Sequence, residues 1–273
     1  MSNRLQHRSR RARSAIVSIA ILAVWSTSGA SPGLAQQSAS PTFPSAAEAS
    51  ERLFQAVQRN DAAAVANILG GPSELASSGD AAQDKIDREL FAHKYQEMHR
   101  VGREADGSAA LYIGAENWPF PIPLVEKTGA WRFDPEAGMK EVMFRRIGEN
   151  ELTAIATCHE FVAAAKHYRA EPNTANLTDT SPASLAARAV SGSTGGDPVL
   201  FDGYYFRVLA ARPKSGGGFA LIAYPAEYRS SGVMTFIVMD NDVVYEKDLG
   251  ANTPALASAI GGFHKDGTWH AAE

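Results

Sequence analysis

The chain has 273 residues, with 26 Lys and Arg against 30 Asp and Glu and a single cysteine. This length allows one large core or two smaller ones, and a single cysteine excludes an internal disulfide. The acidic balance argues against a nucleic-acid partner, because phosphates need a positive protein surface.

Residues 1–35 have the three parts of a secretory signal peptide: an arginine-rich start, an apolar middle and a small-residue exit. The apolar run from Ala15 to Trp25 is too short for a membrane-spanning helix, which needs about 20 residues. We expect cleavage after Ala35 or, as a second choice, Ala30, and a bacterial protein that is periplasmic or secreted. Arg10-Arg11 leaves the twin-arginine route open beside the general one.

Without residues 1–35 the chain keeps 21 basic against 30 acidic residues, a net charge near −9. Such a chain is not expected to bind an anionic membrane surface. No later segment is apolar enough to span a membrane. The expected partners are therefore an envelope protein or a cell-wall ligand, and no cofactor is expected.

Residues 36–44 are polar and are expected to be a disordered leader, and residues 45–146 indicate an N-terminal α+β unit. Helical spacing of apolar residues predicts a hairpin of two helices before Gly70, with Asn60 or Asp61 capping the second. A third helix is predicted from Ala81 to Met98, with its apolar stripe at Ile86, Leu90, Phe91 and Tyr95. Extended runs then predict a small antiparallel sheet at Ala109 to Gly114, Ile122 to Glu126 and Ala130 to Asp134.

The segment from Trp118 to Pro123 has proline at three alternate positions. Each proline removes a backbone donor, so the segment is not a central strand. One interpretation is a rigid apolar lip in which Trp118 and Phe120 grip a ligand or peptide. The other, which we favour, is an edge strand that prolines protect from aggregation while its aromatic side chains pack inward.

A long amphipathic helix is predicted from Ile147 to Tyr168. Its apolar residues recur at three- and four-residue steps and so lie on one stripe; these are Leu152, Ile155, Cys158, Phe161, Val162, Ala165 and Tyr168. The stripe contains Cys158, so we expect that thiol to be buried. The neighbouring pair His159-Glu160 does not form a zinc-protease motif, because position 163 is alanine instead of the required second histidine.

The start of this helix carries the best candidate for a site on it. Glu151 follows Gly148 by three residues, in the manner of a capping box, which gives Glu151 a structural role. In the alternative, Glu151 is a buried carboxylate paired with Arg145 or Arg146, and it is functional only if it lines a cleft. A two-ligand metal site at Glu89 and His93 is conceivable, but a surface salt bridge is favoured, and no metal site is predicted.

Residues 147–262 form the second predicted unit, which has a flexible insertion at 170–200 with a short helix at Ala183 to Val190. A four-strand antiparallel meander follows the insertion, and Pro254 to Ile260 is a final short helix. Residues 263–273 are expected to be a tail. The predicted strands are Tyr204 to Ala210, Phe219 to Ala223, Gly232 to Met239 and Val243 to Lys247.

Helices before a sheet in the first unit resemble the topology of nuclear-transport-factor-like and cystatin-like domains, and the second unit resembles a pilin-like globular domain in shape. Six phrases occur in order along the chain, at residues 77–80, 118–124, 131–134, 145–152, 203–207 and 244–250. In these phrases the chain, from about Phe43 to Trp269, resembles the bacterial domain-of-unknown-function family 2950. That family resemblance implies an exported bacterial protein with no assigned activity.

The residues favour a non-catalytic envelope module that binds a protein, cell-wall material or a small ligand, with no catalytic residue assigned. Its candidate binding residues are Trp118, Phe120, Arg145, Arg146, Glu151, Tyr205, Tyr224 and Glu227. A second hypothesis is a secreted hydrolase of unfamiliar type, with Glu227 near Tyr224 and Tyr228, or Glu246 and Asp248, as its carboxylates. A third is a pilin-related assembly component. No nucleophile elbow occurs in the sequence, so the enzyme question stays open and leans towards no.

Overall fold

The structure is a computed structural model, and it describes residues 41–72, 75–170, 182–191, 197–209, 219–263 and 265–272. These residues form an α+β protein with six α-helices and two antiparallel sheets, which confirms the predicted fold class. They divide into two compact units, Met1–Val142 and Met143–Glu273. The predicted signal peptide, most of the predicted leader and much of the predicted insertion lie outside the described residues.

The first unit has three helices: α1 (Ala46–Gln58), α2 (Ala62–Leu69) and α3 (Ala81–Glu97). Each begins at a polar residue whose side-chain oxygen accepts a backbone amide of the first turn. Ser45 accepts from Glu48 at 3.1 Å and Asp61 from Ala64 at 3.0 Å, while Asp80 caps α3 in the same way. The cap of the second helix is thus Asp61, one of the two predicted.

The sheet of the first unit has five strands: β1 (His99–Arg103), β2 (Ala109–Ile113), β3 (Trp118–Pro119), β4 (Leu124–Lys127) and β5 (Ala130–Phe133). They pair in the order β1-β2-β4-β5, and β3 also pairs with β2. The sequence did not predict β1. Phe43, in the predicted disordered leader, pairs with Trp131 through two backbone hydrogen bonds of 2.7 and 2.8 Å. The leader is therefore ordered at its end.

The core of the first unit forms where α1, α2 and α3 pack against the inner face of this sheet. Leu53, Leu111, Leu124 and Phe133 are at most 1% exposed. Alternate residues of β2 are buried, as expected of a strand with one face in the core. Ile86, which the sequence places in the apolar stripe of α3, is instead 56% exposed, so that part of the prediction is wrong.

Helix α4 (Pro135–Ala170) begins in the first unit and ends in the second. It starts twelve residues before the predicted Ile147. Asp134 is its N-cap, accepting the amides of Glu136 and Ala137 at 3.1 Å, and Pro135 fits the first helical position. Gly138 lies so close to Ile122 that a Cβ would overlap that side chain. This close packing explains a glycine inside a helix.

The second unit contains a six-stranded antiparallel sheet in the order β11-β10-β9-β8-β7-β6. Its strands are β6 (Val199–Phe201), β7 (Tyr204–Leu209), β8 (Ala220–Pro225), β9 (Met234–Met239), β10 (Val244–Asp248) and β11 (His270–Ala271). The four predicted strands are present, and β6 and β11 add one strand at each edge. Two further helices are α5 (Pro182–Val190), which was predicted, and α6 (Thr253–Ala259).

The two faces of this sheet bury different elements. On one face, Phe161 and Val162 of α4 join α5 in a cluster with alternate strand residues such as Phe206 and Leu221. On the other, α6 packs with Ile222, Phe263 and Trp269. Phe263 and Trp269 are 8% and 6% exposed. Residues 263–272 therefore differ from the predicted tail, because these two aromatic side chains fasten them to the sheet.

Candidate functional site

A partly open cavity of about 60 Å³ lies in the first unit, where α1, α2 and α3 meet the segment around β3. Two of its sides come from helix faces. Leu53 and Val57 lie one turn apart on α1, and Val65 and Leu69 lie one turn apart on α2. Residues four apart point in the same direction from a helix, so each helix presents two aliphatic side chains to the cavity.

Helix α3 adds a polar strip to this apolar wall. Asp84, Asp87, Arg88 and Phe91 line the cavity, at positions i, i+3, i+4 and i+7 of one helix face. The apolar residue in this series is Phe91, which is 7% exposed. The face that an amphipathic helix turns to the core is normally apolar. Three charged residues beside aliphatic side chains are therefore unusual on this face.

The last wall is aromatic and comes from the proline-rich segment. Phe120 is 6% exposed, and its ring meets the rings of Phe91 and Phe133 edge to face at 5.5 and 6.1 Å. Trp118 is half-buried and lines the cavity beside it. Phe120 is thus a core residue, as the favoured interpretation of this segment requires, while Trp118 and Phe120 both belong to a pocket wall.

Asp84 is held by the turn before α3. Its Oδ2 accepts the Ser77 hydroxyl at 2.5 Å, and its Oδ1 accepts the Ser78 hydroxyl and amide at 2.6 and 2.7 Å. Burial by itself raises the pKa of Asp84, but these hydrogen bonds outweigh it and leave that pKa below its ordinary value. Asp84 is therefore an ionised, fully engaged structural carboxylate.

Asp87 has the opposite character. Its Oδ1 accepts from Gln83 Nε2 at 2.9 Å, while its Oδ2 is buried without a hydrogen-bond partner in the structure. Burial raises the pKa of Asp87, and the charge of Asp84 raises it further, although Gln83 and Arg88 act in the other direction. Arg88 directs its Nε to Asn60 Oδ1 at 2.6 Å. Asp87 therefore differs from Asp84 in both its hydrogen bonds and the direction of its pKa shift.

Glu151 lies inside α4 and not at a helix entrance, so the capping-box interpretation is wrong. Its Oε1 accepts the backbone amides of Val233 and Met234 at 2.8 and 3.0 Å. The preceding Asn150 donates to the carbonyl of Ser231 at 2.8 Å. Together the two side chains hold the segment before β9 on the helix. This is a structural role, as the sequence favoured, but it is reached by different contacts.

The other predicted binding residues have the following places in the second unit. Arg145 and Arg146 are half-buried side chains within α4. Tyr205 and Tyr224 face each other on neighbouring strands, with ring centroids 5.6 Å apart. Glu227 is exposed, and its carbonyl accepts the amides of Ser230 and Ser231 in a tight turn. The structure thus brings Tyr205 and Tyr224 together as one pair, and it places Trp118 and Phe120 together in the cavity wall.

Glu246 and Asp248, two of the carboxylates named for a hydrolase, lie within β10, whereas Glu227 follows β8. Asp248 accepts the Tyr228 hydroxyl at 3.1 Å and the Gly250 amide at 2.7 Å, contacts that end the strand in a turn. Glu246 is half-buried on the same strand. Nδ1 of His159 lies 2.8 Å from Oδ1 of Asp242. Glu89 forms a salt bridge with Lys85, in which Oε1 and Nζ are 2.6 Å apart. Within the described residues, no group of three or more potential ligands is placed to hold a metal ion.

The sequence interpretation missed the cavity residues of α3. The predicted stripe of this helix contained apolar residues alone, so Asp84, Asp87 and Arg88 were not considered. The spacing from Asp84 to Phe91 was visible, and Ser77-Ser78 before the helix offered hydroxyl donors to a carboxylate one turn inside it. These two signals together could have indicated that the face carrying Asp84 is covered.

A family model described as "Protein of unknown function (DUF2950)" matches residues 40–180 and 172–272 of the chain. The matched ranges contain all the cavity residues and both sheets. No curated protein and no solved structure gives a significant match. Across the described part of the chain, none of the helices has both the length and the apolar character needed to cross a membrane.

Proposed function

The chain belongs to the DUF2950 family, and we propose that this member is an exported, non-catalytic binding module of the bacterial envelope. The observation that carries the proposal is the cavity between α1, α2, α3 and the aromatic wall. Its lining is mostly aliphatic and aromatic with a few charged groups at one side, the composition typical of small-ligand sites.

A packing defect is the simplest competing explanation of the cavity. Defects of that kind are usually dry and lined by apolar atoms alone. Here the wall carries the charged side chains Asp84, Asp87 and Arg88, and Trp118 adds a half-buried ring. A lining of this mixed kind is typical of a ligand site and not of a packing defect.

The binding part of the proposal is tested by filling the cavity. Ala76 is half-buried and lines it, so Ala76→Leu introduces three further carbon atoms there. Ala63→Leu is the matched control, because Ala63 is exposed on α2. Butan-1-ol is titrated into each purified protein and the methyl NMR signals of Val57 and Leu69 are followed. These signals are expected to shift in a saturable way in the native protein and in A63L. They are not expected to do so in A76L. Absence of saturable shifts, or their survival in A76L, would refute the binding site.

Export is tested separately. The predicted signal peptide supplies the reason to place the protein outside the cytoplasm. Full-length chain expressed in a Gram-negative host is expected in the periplasmic fraction, processed near Ala35, and a chain that lacks residues 1–35 in the cytoplasm. Recovery of the full-length chain unprocessed in the cytoplasm would contradict the proposal.

The binding residues suggested on the second unit, Tyr205, Tyr224 and Glu227, remain predictions, as do the hydrolase and pilin-related alternatives. The cavity is favoured over them because it brings a concave apolar surface together with charged side chains at one side. Asp248, by contrast, already has two donors.

A further inference from the structure

The deep part of the cavity is apolar. Its lining side chains are each at most 7% exposed and come from the three helices, the segment between α2 and α3, and the proline-rich segment: Leu53, Val57, Val65, Leu69, Leu75, Phe91 and Phe120. Almost all of the surface that the lining turns to the cavity belongs to apolar atoms. A ligand group that enters this part displaces water from apolar surface, so the hydrophobic effect favours an apolar group there.

The charged residues of the lining already serve the protein. Asp84 is fully engaged by the turn before α3. Oδ1 of Asp87 accepts from Gln83 at 2.9 Å, and Oδ2 of Asp87 has no surface that a ligand could touch. Arg88 donates from its Nε to Oδ1 of Asn60 at 2.6 Å. The structure therefore gives no reason for a charged ligand group to enter the cavity.

The half-buried residues of the lining lie on the side where the cavity meets solvent. These are Ala76, Asp87, Arg88 and Trp118. Asp87 and Arg88 bring one charge of each sign to this side, so their effects on a nearby ligand charge oppose each other. A polar group that stays outside the cavity remains in water, where charge interactions are weak. The ligand that fits this arrangement has an apolar end inside and a polar end outside.

The volume limits how much of the ligand enters. The cavity measures about 60 Å³, and one water-sized sphere needs about 10–15 Å³ on the same scale. The space therefore suits a straight chain of roughly four or five heavy atoms. An apolar cavity that holds benzene measures about 150 Å³, so a six-membered aromatic ring exceeds the space in this cavity.

We propose that the cavity binds the methyl end of a straight alkyl chain, with roughly four or five carbons inside and the polar end of the molecule in water. The chain end lies against the four aliphatic side chains that α1 and α2 contribute. This inference rests on the proposed binding function and names its ligand class. The ligand is a monomeric, water-soluble amphiphile. A bilayer lipid does not fit, because a few of its methylenes would enter the cavity while the others would move from the bilayer into water.

The first test is a chain-length series from propan-1-ol to heptan-1-ol, titrated into the purified native chain while the methyl NMR signals of Val57 and Leu69 are followed. Each methylene that enters an apolar site raises the affinity by about fourfold. We expect this increase up to about pentan-1-ol, and less than about twofold per carbon beyond it, because the later methylenes stay in water. Benzyl alcohol is expected to bind more weakly than pentan-1-ol. An unbroken increase to heptan-1-ol, or tighter binding of benzyl alcohol, would overturn the proposal.

A larger cavity is expected to move the length limit. Val65→Ala removes two methyl groups from the lining. Ile113→Val is the matched control, because Ile113 is buried in the same core but does not line the cavity. The affinity for hexan-1-ol is expected to increase by about fourfold in V65A and to stay within about twofold of the native value in I113V. An unchanged affinity in folded V65A would refute the placement of the chain end, and the native series decides the length limit even if V65A does not fold.

The second test compares three polar ends on one chain: hexan-1-ol, hexan-1-amine and hexanoate. Their affinities for the native chain are expected to agree within about threefold, because the polar end stays in water. A preference of about tenfold or more for either charged compound, or retention of the protein on neutral phosphatidylcholine vesicles, would overturn the proposed ligand class and leave the cavity as a binding site. If none of the alcohols shifts the two methyl signals, the proposed function fails as well.

Discussion

Replacing Glu151 with alanine tests whether one carboxylate fastens the segment before β9 to α4. The substitution removes the acceptor of two backbone amides, those of Val233 at 2.8 Å and Met234 at 3.0 Å. Hydrogen bonds to a charged group contribute about 1.5–3 kcal/mol each, and both amides are part-buried, so water replaces some of the loss. We expect E151A to lower the free energy of unfolding by about 3 kcal/mol.

Glu151→Gln refines the same test. The glutamine oxygen still accepts both amides without the charge, so its expected cost is about 1 kcal/mol. Glu160→Ala is the control, because Glu160 is exposed on the same helix and such changes usually stay within about 0.5 kcal/mol. Urea denaturation followed by circular dichroism measures all three variants. An E151A value within 0.5 kcal/mol of the E160A value would refute the reasoning.

Three more predictions follow from buried groups. Asp84→Asn is expected to lower the free energy of unfolding by about 2 kcal/mol at pH 7. Because the native contacts hold the pKa of Asp84 below its usual value, this loss becomes smaller as the pH falls below about 4. Urea denaturation at pH 7 and at pH 3 measures the difference. Burial raises the pKa of Cys158 to about 12, so iodoacetamide should modify it only in urea, as mass spectrometry would detect. Phe161 is fully buried, so F161A is expected to lower the free energy of unfolding by about 3–5 kcal/mol. Leu152 is 66% exposed, so L152A is expected to lower it by less than about 0.5 kcal/mol. Thermal or urea unfolding measures both.

The contrast between Leu152 and Glu151 shows where periodicity misled the sequence analysis. Residues advance about 100° around a helix. Leu152 therefore lies about 120° from Cys158, whereas Glu151, a heptad before Cys158, is displaced by only about 20°. The buried face includes Glu151 and excludes Leu152, although hydrophobicity alone favours the opposite choice. Glu151 is accepted there because two backbone amides satisfy its carboxylate.

Elements with strong local signals were predicted well. Asp61 and the left-handed Gly70 fix the two ends of α2, and Asp80 fixes the start of α3, through contacts within a few residues. The same kind of signal was present for α4 in Asp134-Pro135, but the helix was predicted to begin only at Ile147. Gly138 is explained only by the position of Ile122, and that packing is not visible in the sequence.

Elements that depend on distant partners were not predicted. Strands β1, β6 and β11 are short or polar, and each is held by its pairing with a neighbouring strand. Trp269 is buried beside Phe263, with ring centroids 5.3 Å apart, and this contact places β11 against β10. A two-residue strand has no periodicity to detect, so residues 263–273 could be read only as a tail.

The segment from Trp118 to Pro123 shows why its two interpretations were not true alternatives. Prolines at alternate positions leave amide donors only on the residues between them, and Phe120 uses its amide to bond Leu111 at 2.7 Å. Phe120 and Ile122 are thereby fixed in the core. Proline also restricts the backbone, so the wall that Trp118 and Phe120 give the cavity is formed before any ligand arrives. Preorganised walls lower the entropic cost of binding. The inward packing of these aromatic residues thus supports a binding role instead of excluding it.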